Sequence, residues 1–230
     1  TALPNSEFDY QKYSYTTATT LMGNVGLRLG TANDIKYNFL MLNNSEQKHE
    51  EFNGILDRED DAPNGGGFIQ RNTFERTTLI VNQLLGNHDI SDSFEVNWGV
   101  GYNTVENLIP NRRQNILLPY TNNDPEGPKS FRLVSAASAN HRFFQELTED
   151  EIAANLSTTF KFKKNEEDGF DGKFTIGYNG RFKNVDFEAT QFNYQILNVA
   201  NQPFVDPYNI DAYFDEYGPD SGFWQIRTFR

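Results

Sequence analysis

From Ser93 to Asn103 the chain alternates without a break. Phe94, Val96, Trp98, Val100 and Tyr102 are apolar or aromatic, while Ser93, Glu95, Asn97, Gly99, Gly101 and Asn103 are polar or glycine. Successive side chains on a β-strand point to opposite faces, so this stretch has one greasy face and one wet face. A period of two is incompatible with an amphipathic helix, whose apolar positions recur at three and four. A tilted strand of about 9–11 residues is also the length that crosses a bilayer. The greasy face must therefore meet either a protein core or lipid.

Five further segments share this period, giving expected strands near 19–29, 35–44, 72–85, 93–104, 151–163 and 173–187. In the first, Leu21, Val25, Leu27 and Leu29 oppose Asn24 and Arg28. In the second, Ile35, Tyr37, Phe39 and Met41 oppose Lys36 and Asn38, with the pattern blurred at Leu40 and Leu42. The third shows no clear facing. In the fifth, Ile152, Ala154, Leu156, Thr158, Phe160 and Phe162 oppose Ser157, Thr159, Lys161 and Lys163. In the last, Phe174, Ile176, Tyr178 and Phe182 oppose Lys173, Thr175, Asn179, Arg181 and Lys183. Thr148-Glu149-Asp150-Glu151 has the form of a capping box, leaving a short helix as the alternative run-in to the fifth strand. Short turns near 30–34, 86–92 and 164–172 alternate with expected long loops near 45–71, 105–148 and 188–222. Outer-membrane barrels alternate short periplasmic turns with long extracellular loops, whereas soluble sandwiches mix the two.

Composition supports a wet surface beside an aromatic one. The chain has 20 Phe, 11 Tyr and 2 Trp, and its mean hydropathy of −0.67 is nonetheless clearly negative. No apolar run approaches the roughly 18 residues of a membrane helix; Phe39-Leu40-Met41-Leu42 is typical of the longest. Cysteine is absent, which excludes disulfides and thiolate metal sites. The net charge of −12 argues against nucleic acid as a partner. Seven carboxylates fall between Glu46 and Asp61 and seven between Asp186 and Asp220, which is expected of solvated loops. Thr1 is neither an initiator Met nor the start of a signal peptide, so the chain is expected to begin after processing or within a longer protein. Six strands cannot close a barrel whose smallest examples have eight, so further strands are expected from elsewhere.

Several stretches resemble the TonB-dependent outer-membrane receptors of the Bacteroidota. They are Thr77-Thr78-Leu79-Ile80-Val81-Asn82-Gln83-Leu84-Leu85-Gly86, Asn97-Trp98-Gly99-Val100-Gly101-Tyr102-Asn103 and Pro110-Asn111-Arg112-Arg113-Gln114-Asn115. Gly177-Tyr178-Asn179-Gly180-Arg181-Phe182 and Asp186-Phe187-Glu188-Ala189-Thr190-Gln191-Phe192 complete the set. The resemblance runs from about Tyr13 to Arg230 and is to the middle of the barrel. It implies an all-β, antiparallel transmembrane β-barrel, of which this chain supplies about six strands of a 22-stranded type with a plugged lumen. Neither the plug nor the segment that TonB grips is recognisable in this chain. The implied function is nutrient capture at outer loops and import driven by the proton-motive force through TonB. The implied location is the bacterial outer membrane. The implied partners are the bilayer and lipopolysaccharide, TonB through the missing N-terminal part, and a surface lipoprotein or larger outer-membrane complex. The family takes metal chelates, vitamins, glycans and peptides, and nothing in the sequence selects among them.

On this reading Phe94, Val96, Trp98, Val100, Tyr102, Phe174, Ile176 and Tyr178 face lipid, with Trp98 and Tyr102 in an interface girdle. Arg112 and Arg113, following Pro110, are candidate contacts for an anionic ligand or lipopolysaccharide. Tyr208, Tyr213 and Trp224, with Phe214, Tyr217 and Phe223, make the last loop aromatic; such rings can stack on a sugar or pack on one another. His49, His88 and His141 are widely spaced, expected at loops or strand ends, and lack metal-ligand spacing. The oxygen-rich runs Asp57–Asp61 and Glu166–Asp171 do not follow calcium-loop order and are expected as solvated turns. Gly65-Gly66-Gly67 is not followed by Lys-Ser/Thr and is expected as a loop tip rather than a phosphate loop. No nucleophile–base set is discernible, so neither an enzyme nor a cofactor is expected. The alternatives are a soluble glycan-binding β-sandwich using Tyr208–Trp224, and a barrel scaffold subunit of a larger outer-membrane complex.

Overall fold

A computed structural model describes residues 4–57, 61–132, 139–164, 169–197 and 203–229. Nearly all of it is one antiparallel sheet. The strands are β1 (Glu7–Leu29), β2 (Asn33–Leu56), β3 (Ala62–Ser91), β4 (Phe94–Pro119), β5 (Lys129–Phe131), β6 (His141–Lys164), β7 (Phe170–Ile196) and β8 (Trp224–Phe229). One short helix, α1 (Ile210–Glu216), and a 3-10 turn precede β8. The spatial order is β1-β2-β3-β4-β6-β7-β8, with β5 beside the upper end of β4. The sheet is not closed among the described residues, and β1 has β2 as its one neighbour. No helix there is long and apolar enough to cross a membrane.

The six long strands each exceed twice the length that crosses a bilayer: β1 has 23 residues and β3 has 30. This corrects the sequence expectation at 45–71, 105–148 and 188–222. Residues 45–56 and 62–71 pair with each other, leaving a connection of 57–61. β4 runs on to Pro119, and Thr148–Glu151 lies within β6 rather than a helix. β7 continues to Ile196. The physical reason is that polar and charged runs such as Ser45–Glu51 interrupt the apolar alternation in these extensions, so the pattern ends where the strands do not. Lys12–Glu46, Lys48–Glu75 and Arg71–Glu50 are cross-strand ion pairs there, which hold a ladder without hydrophobic contrast.

In the lower part of the sheet the register gathers most apolar residues of the six long strands on one face. Paired residues share a face, and one row reads Leu27, Ile35, Gly86, Trp98, Leu156, Tyr178 across six strands. The next reads Val25, Tyr37, Leu84, Val100, Ala154, Gly180, and the one above it Gly23, Phe39, Asn82, Tyr102, Ile152, Phe182. Phe94, Phe160 and Phe174 form the lowest row. All eight residues expected to face lipid lie on this face, and the ambiguous third strand contributes Ile80 and Leu84 to it. Phe94 and Tyr102 are eight residues apart, about 26 Å along a strand. A tilt of roughly 35–45° lowers this to about 20 Å, close to the height of an outer-membrane apolar band. Trp98 stands mid-band, not at its edge. Tyr102 stands at the upper edge, its hydroxyl donating to Asp150 Oδ1 at 2.7 Å.

The opposite face carries Arg28, Asp34, Lys36, Glu95, Glu149, Glu151, Lys161, Arg181 and Lys183. They form the pairs Arg28–Asp34 (2.9 Å), Lys161–Glu95 (3.6 Å), Arg181–Glu151 (3.8 Å) and Lys183–Glu149. One patch departs from this polarity. Met22, Leu40 and Val81 share a row on this face, with Leu42, Leu79 and Val105 in the row above. Both faces of β2 and β3 are therefore apolar at this height, which is why neither showed a clean alternation in sequence.

Above the band the β3–β4 and β4–β6 registers both shift, at Phe74/Arg76 and at Ile109/Arg112. Pro110 lies in the second shift, where its missing N–H removes nothing from a ladder. The extra residue reverses which parity faces which side from Arg112 upward.

Candidate functional site

That parity reversal decides where the two candidate arginines go. Arg112 pairs with Phe143 and Thr73 and projects to the face that carries the ion pairs; Arg113 pairs with Arg142 and Asn72 and projects to the face that carries the apolar band. The sequence grouped them, and the strand separates them.

On the ion-paired face, well above the band, the Arg112 guanidinium lies 4.4 Å from the Phe143 ring centroid. Its Nη2 donates to Nε2 of His141 at 3.4 Å. Arg71 stands beside it, donating through Nε to Gln114 Oε1 at 2.9 Å. Gln114 in turn donates to the Ala139 carbonyl at 3.1 Å. Burial, then the positive charges of Arg112 and Arg71, push the His141 imidazole down to about 4, so it is neutral at ordinary pH. Among the described residues no carboxylate lies within ion-pair distance of Arg112. The group presents one half-buried cation braced by a ring and a neutral imidazole, an arrangement suited to an anion.

On the other face, the segment from Pro203 to Phe223 folds over the upper ends of β3, β4 and β7. Phe68, Leu117, Phe131, Ile196, Val205, Ile210, Tyr213 and Trp224 are buried together there. Tyr213 and Trp224, two of the three aromatic candidates, are thus core residues. Trp224 donates its indole proton to the Tyr217 carbonyl at 2.7 Å, and its ring meets Phe214 and Tyr194 edge-on at 5.3 and 5.6 Å. Tyr208 is 79% exposed and lies beside a separate hollow with Phe68 and Pro207. A second buried cluster, Leu56, Ala62, Ile116 and Ala139, packs on the ion-paired face.

Between α1 and the sheet lies a hollow of about 300 Å³ that Arg113 and Trp224 line with Asn115, Arg142, Tyr194, Asp211, Phe214 and Asp215. Arg113 donates to Asp211 Oδ1 at 2.7 Å, which ties α1 to β4. Asn115, Arg142 and Tyr194 escaped the sequence reading. A signal for Asn115 existed: two residues beyond Arg113 on one strand is the same face, a step that needs β4 to run past Val105.

His141 opens β6 and His88 lies three residues from the end of β3, at strand ends as expected, while His49 lies within β2. His49 bonds Asn72 and Glu51, and His88 bonds Asn33 and Trp98. Among the described residues no three His, Asp or Glu groups converge as metal ligands would. Residues 58–60 and 165–168 of the two oxygen-rich turns lie outside the described residues. Gly65-Gly66-Gly67 belongs to β3.

No family model matches the chain, and no curated protein matches it either.

Proposed function

We propose that this chain is part of the wall of a TonB-dependent outer-membrane receptor, which captures a nutrient at its outer end and imports it. One observation carries the reading: a single apolar band runs in register across six strands, backed by a face of ion pairs. Ile176, Tyr178 and Phe182 are 63%, 76% and 73% exposed on that band. A contiguous apolar patch on this scale marks a surface that meets lipid or another protein. Lipid explains the tyrosine at its upper rim, and further strands would complete the closed wall that a bilayer requires.

The Met22–Leu40–Val81 patch on the other face favours a receptor over an open pore. A water-filled channel would leave it wet, whereas a plug folded inside the wall would cover it. The strand extensions above the band give the wall a deep vestibule where Arg112, with Arg71 and His141, would face an incoming anionic group.

The test is fractionation of cells that make the intact protein. Recovery with outer membranes, resistance to alkaline extraction and release only by detergent are expected. Recovery from the soluble fraction would favour the sandwich, in which a second sheet covers the same face. Uptake that persists without TonB would leave the membrane wall standing and remove the transport part of the reading.

A further inference from the structure

Asn115 is 1% exposed, and both its side-chain amide atoms, Nδ2 and Oδ1, lack a hydrogen-bond partner among the described residues. A buried carboxamide left unpaired on both sides is rare, because each unmet group forfeits its hydration. Asn115 lines the hollow between α1 and the sheet. Arg142, which lines it too, has a buried Nε without a partner.

The charges around the hollow cancel. Arg113 pairs with Asp211, and Arg142 and Asp215 leave one cation and one anion facing the same space. An anionic ligand would meet two carboxylates, and a cationic ligand two guanidiniums. The rings of Tyr194, Phe214 and Trp224 supply an apolar wall, in mutual contact at 5.2 to 5.6 Å. A neutral ring rich in hydroxyls satisfies all of these at once. One hydroxyl of a vicinal pair accepts from Asn115 Nδ2 while its neighbour donates to Oδ1. Arg142 donates to a further oxygen, Asp215 accepts from a further hydroxyl, and the C–H face lies against the aromatic wall. A volume of about 300 Å³ is at the small end for ligand sites, sized for one sugar unit rather than a chain buried along its length.

We infer that this hollow binds a single neutral hexose unit, with Asn115 and Arg142 as its principal donors and Asp215 as an acceptor. The inference does not rest on the membrane reading, since the hollow is formed by α1 and the upper ends of β4, β6, β7 and β8. It is also distinct from the Arg112 group, which projects from the other face of the sheet. The hexose can belong to a free oligosaccharide or to the glycan of a surface lipid, two sources with the same chemistry.

The experiment uses the intact protein in detergent and reads saturation-transfer NMR and intrinsic tryptophan fluorescence. The probes are methyl glucoside, methyl galactoside and methyl mannoside, then a linear neutral hexose oligosaccharide and the delipidated core oligosaccharide of lipopolysaccharide. Saturable binding of at least one methyl hexoside is expected, and the stronger of the two oligosaccharide arms identifies the source. Asn115→Leu, close in volume, should weaken binding about tenfold, the loss of a hydrogen-bonded amide. It should also raise the unfolding temperature, because the unpaired amide is gone; a merely structural asparagine would not separate the two effects. Asp215→Asn, on an exposed position that does not threaten folding, should weaken binding several-fold. Native-like hexoside affinity in both variants, or no saturable binding of any hexoside by the native protein, would overturn the assignment. Either result would leave membrane recovery unchanged, so the two readings fail separately.

Discussion

Trp98 donates its indole Nε1 proton to Nε2 of His88 at 2.9 Å, and the two rings stack 14° from parallel. His88 Nδ1 is 2.7 Å from Asn33 Oδ1, so the neutral tautomer with its proton on Nδ1 satisfies both bonds. Trp98 also lies over Gly86, its cross-strand partner, where any Cβ would strike the indole. A polar N–H is thus buried within the apolar face by a three-residue relay, in a row that stands mid-band.

Trp98→Arg should impair outer-membrane assembly, because an Arg on the lipid face near mid-band costs about 2–4 kcal/mol. Asn97→Arg, one residue away on the ion-paired face, should assemble nearly as the native protein does. Heat-dependent mobility of each variant in outer membranes reads the difference. Equal tolerance at the two positions would contradict the assigned facing.

His141 offers a second test, on residues that lie above the membrane band. Its folded value of about 4 is below the ordinary 6.5, so the unfolded chain binds the proton more readily. Stability therefore falls as pH drops from about 6.5 to about 4 and is indifferent to this group above 6.5. The magnitude is at most about 3 kcal/mol. Thermal unfolding at pH 7 and at pH 4.5 should show a smaller acid loss in His141→Gln than in the native protein. The same loss in both would mean that the imidazole is not held neutral.

Half of this fold was legible in sequence and half was not, and the division is physical. The band was legible because a sheet with one apolar face demands alternate apolar residues, as in Phe94–Tyr102 and Phe174–Phe182. The strand extensions were hidden because Lys12–Glu46 and Lys48–Glu75, at 3.4 and 4.0 Å, tie neighbouring strands with charge on a segment that reads as a loop. The aromatic cluster was legible in content, and packing on one another was one of the two roles the sequence left open; Tyr213 and Trp224 take it. The separation of Arg112 from Arg113 follows from adjacency on any strand. Which of them goes to which side depends on the register shift at Pro110, and no composition rule exposes that.

The shift itself can be tested. Pro110→Ala should change stability by no more than about 0.5 kcal/mol, since the ring sits where the ladder is already open. Inserting one alanine between Asn111 and Arg112 should be severe. It would send Arg112 to the apolar-band face and turn Arg113 away from Asp211, and every residue up to Pro119 would face the wrong cluster. The assembled fraction in outer membranes separates the two variants; an insertion variant that assembles normally would show that the register is set elsewhere.

The Met22–Leu40–Val81 patch gives a further test of the receptor reading. On the receptor reading, Val81→Cys in the intact protein should react with a water-soluble maleimide at least about tenfold more slowly than in urea, because a plug would cover it. Labelling at the unfolded rate would point to an open lumen and to the scaffold alternative.

β1 offers its outer row of peptide groups, 23 residues long, to no strand within the described sheet. In hydrocarbon each such group left unmet costs several kcal/mol. On the proposed membrane reading the wall would therefore not enter the bilayer one hairpin at a time as an independent event. Its insertion would be timed: β1 would need another strand's edge, or an assembly machine that lends it a temporary one, until the seam is zipped.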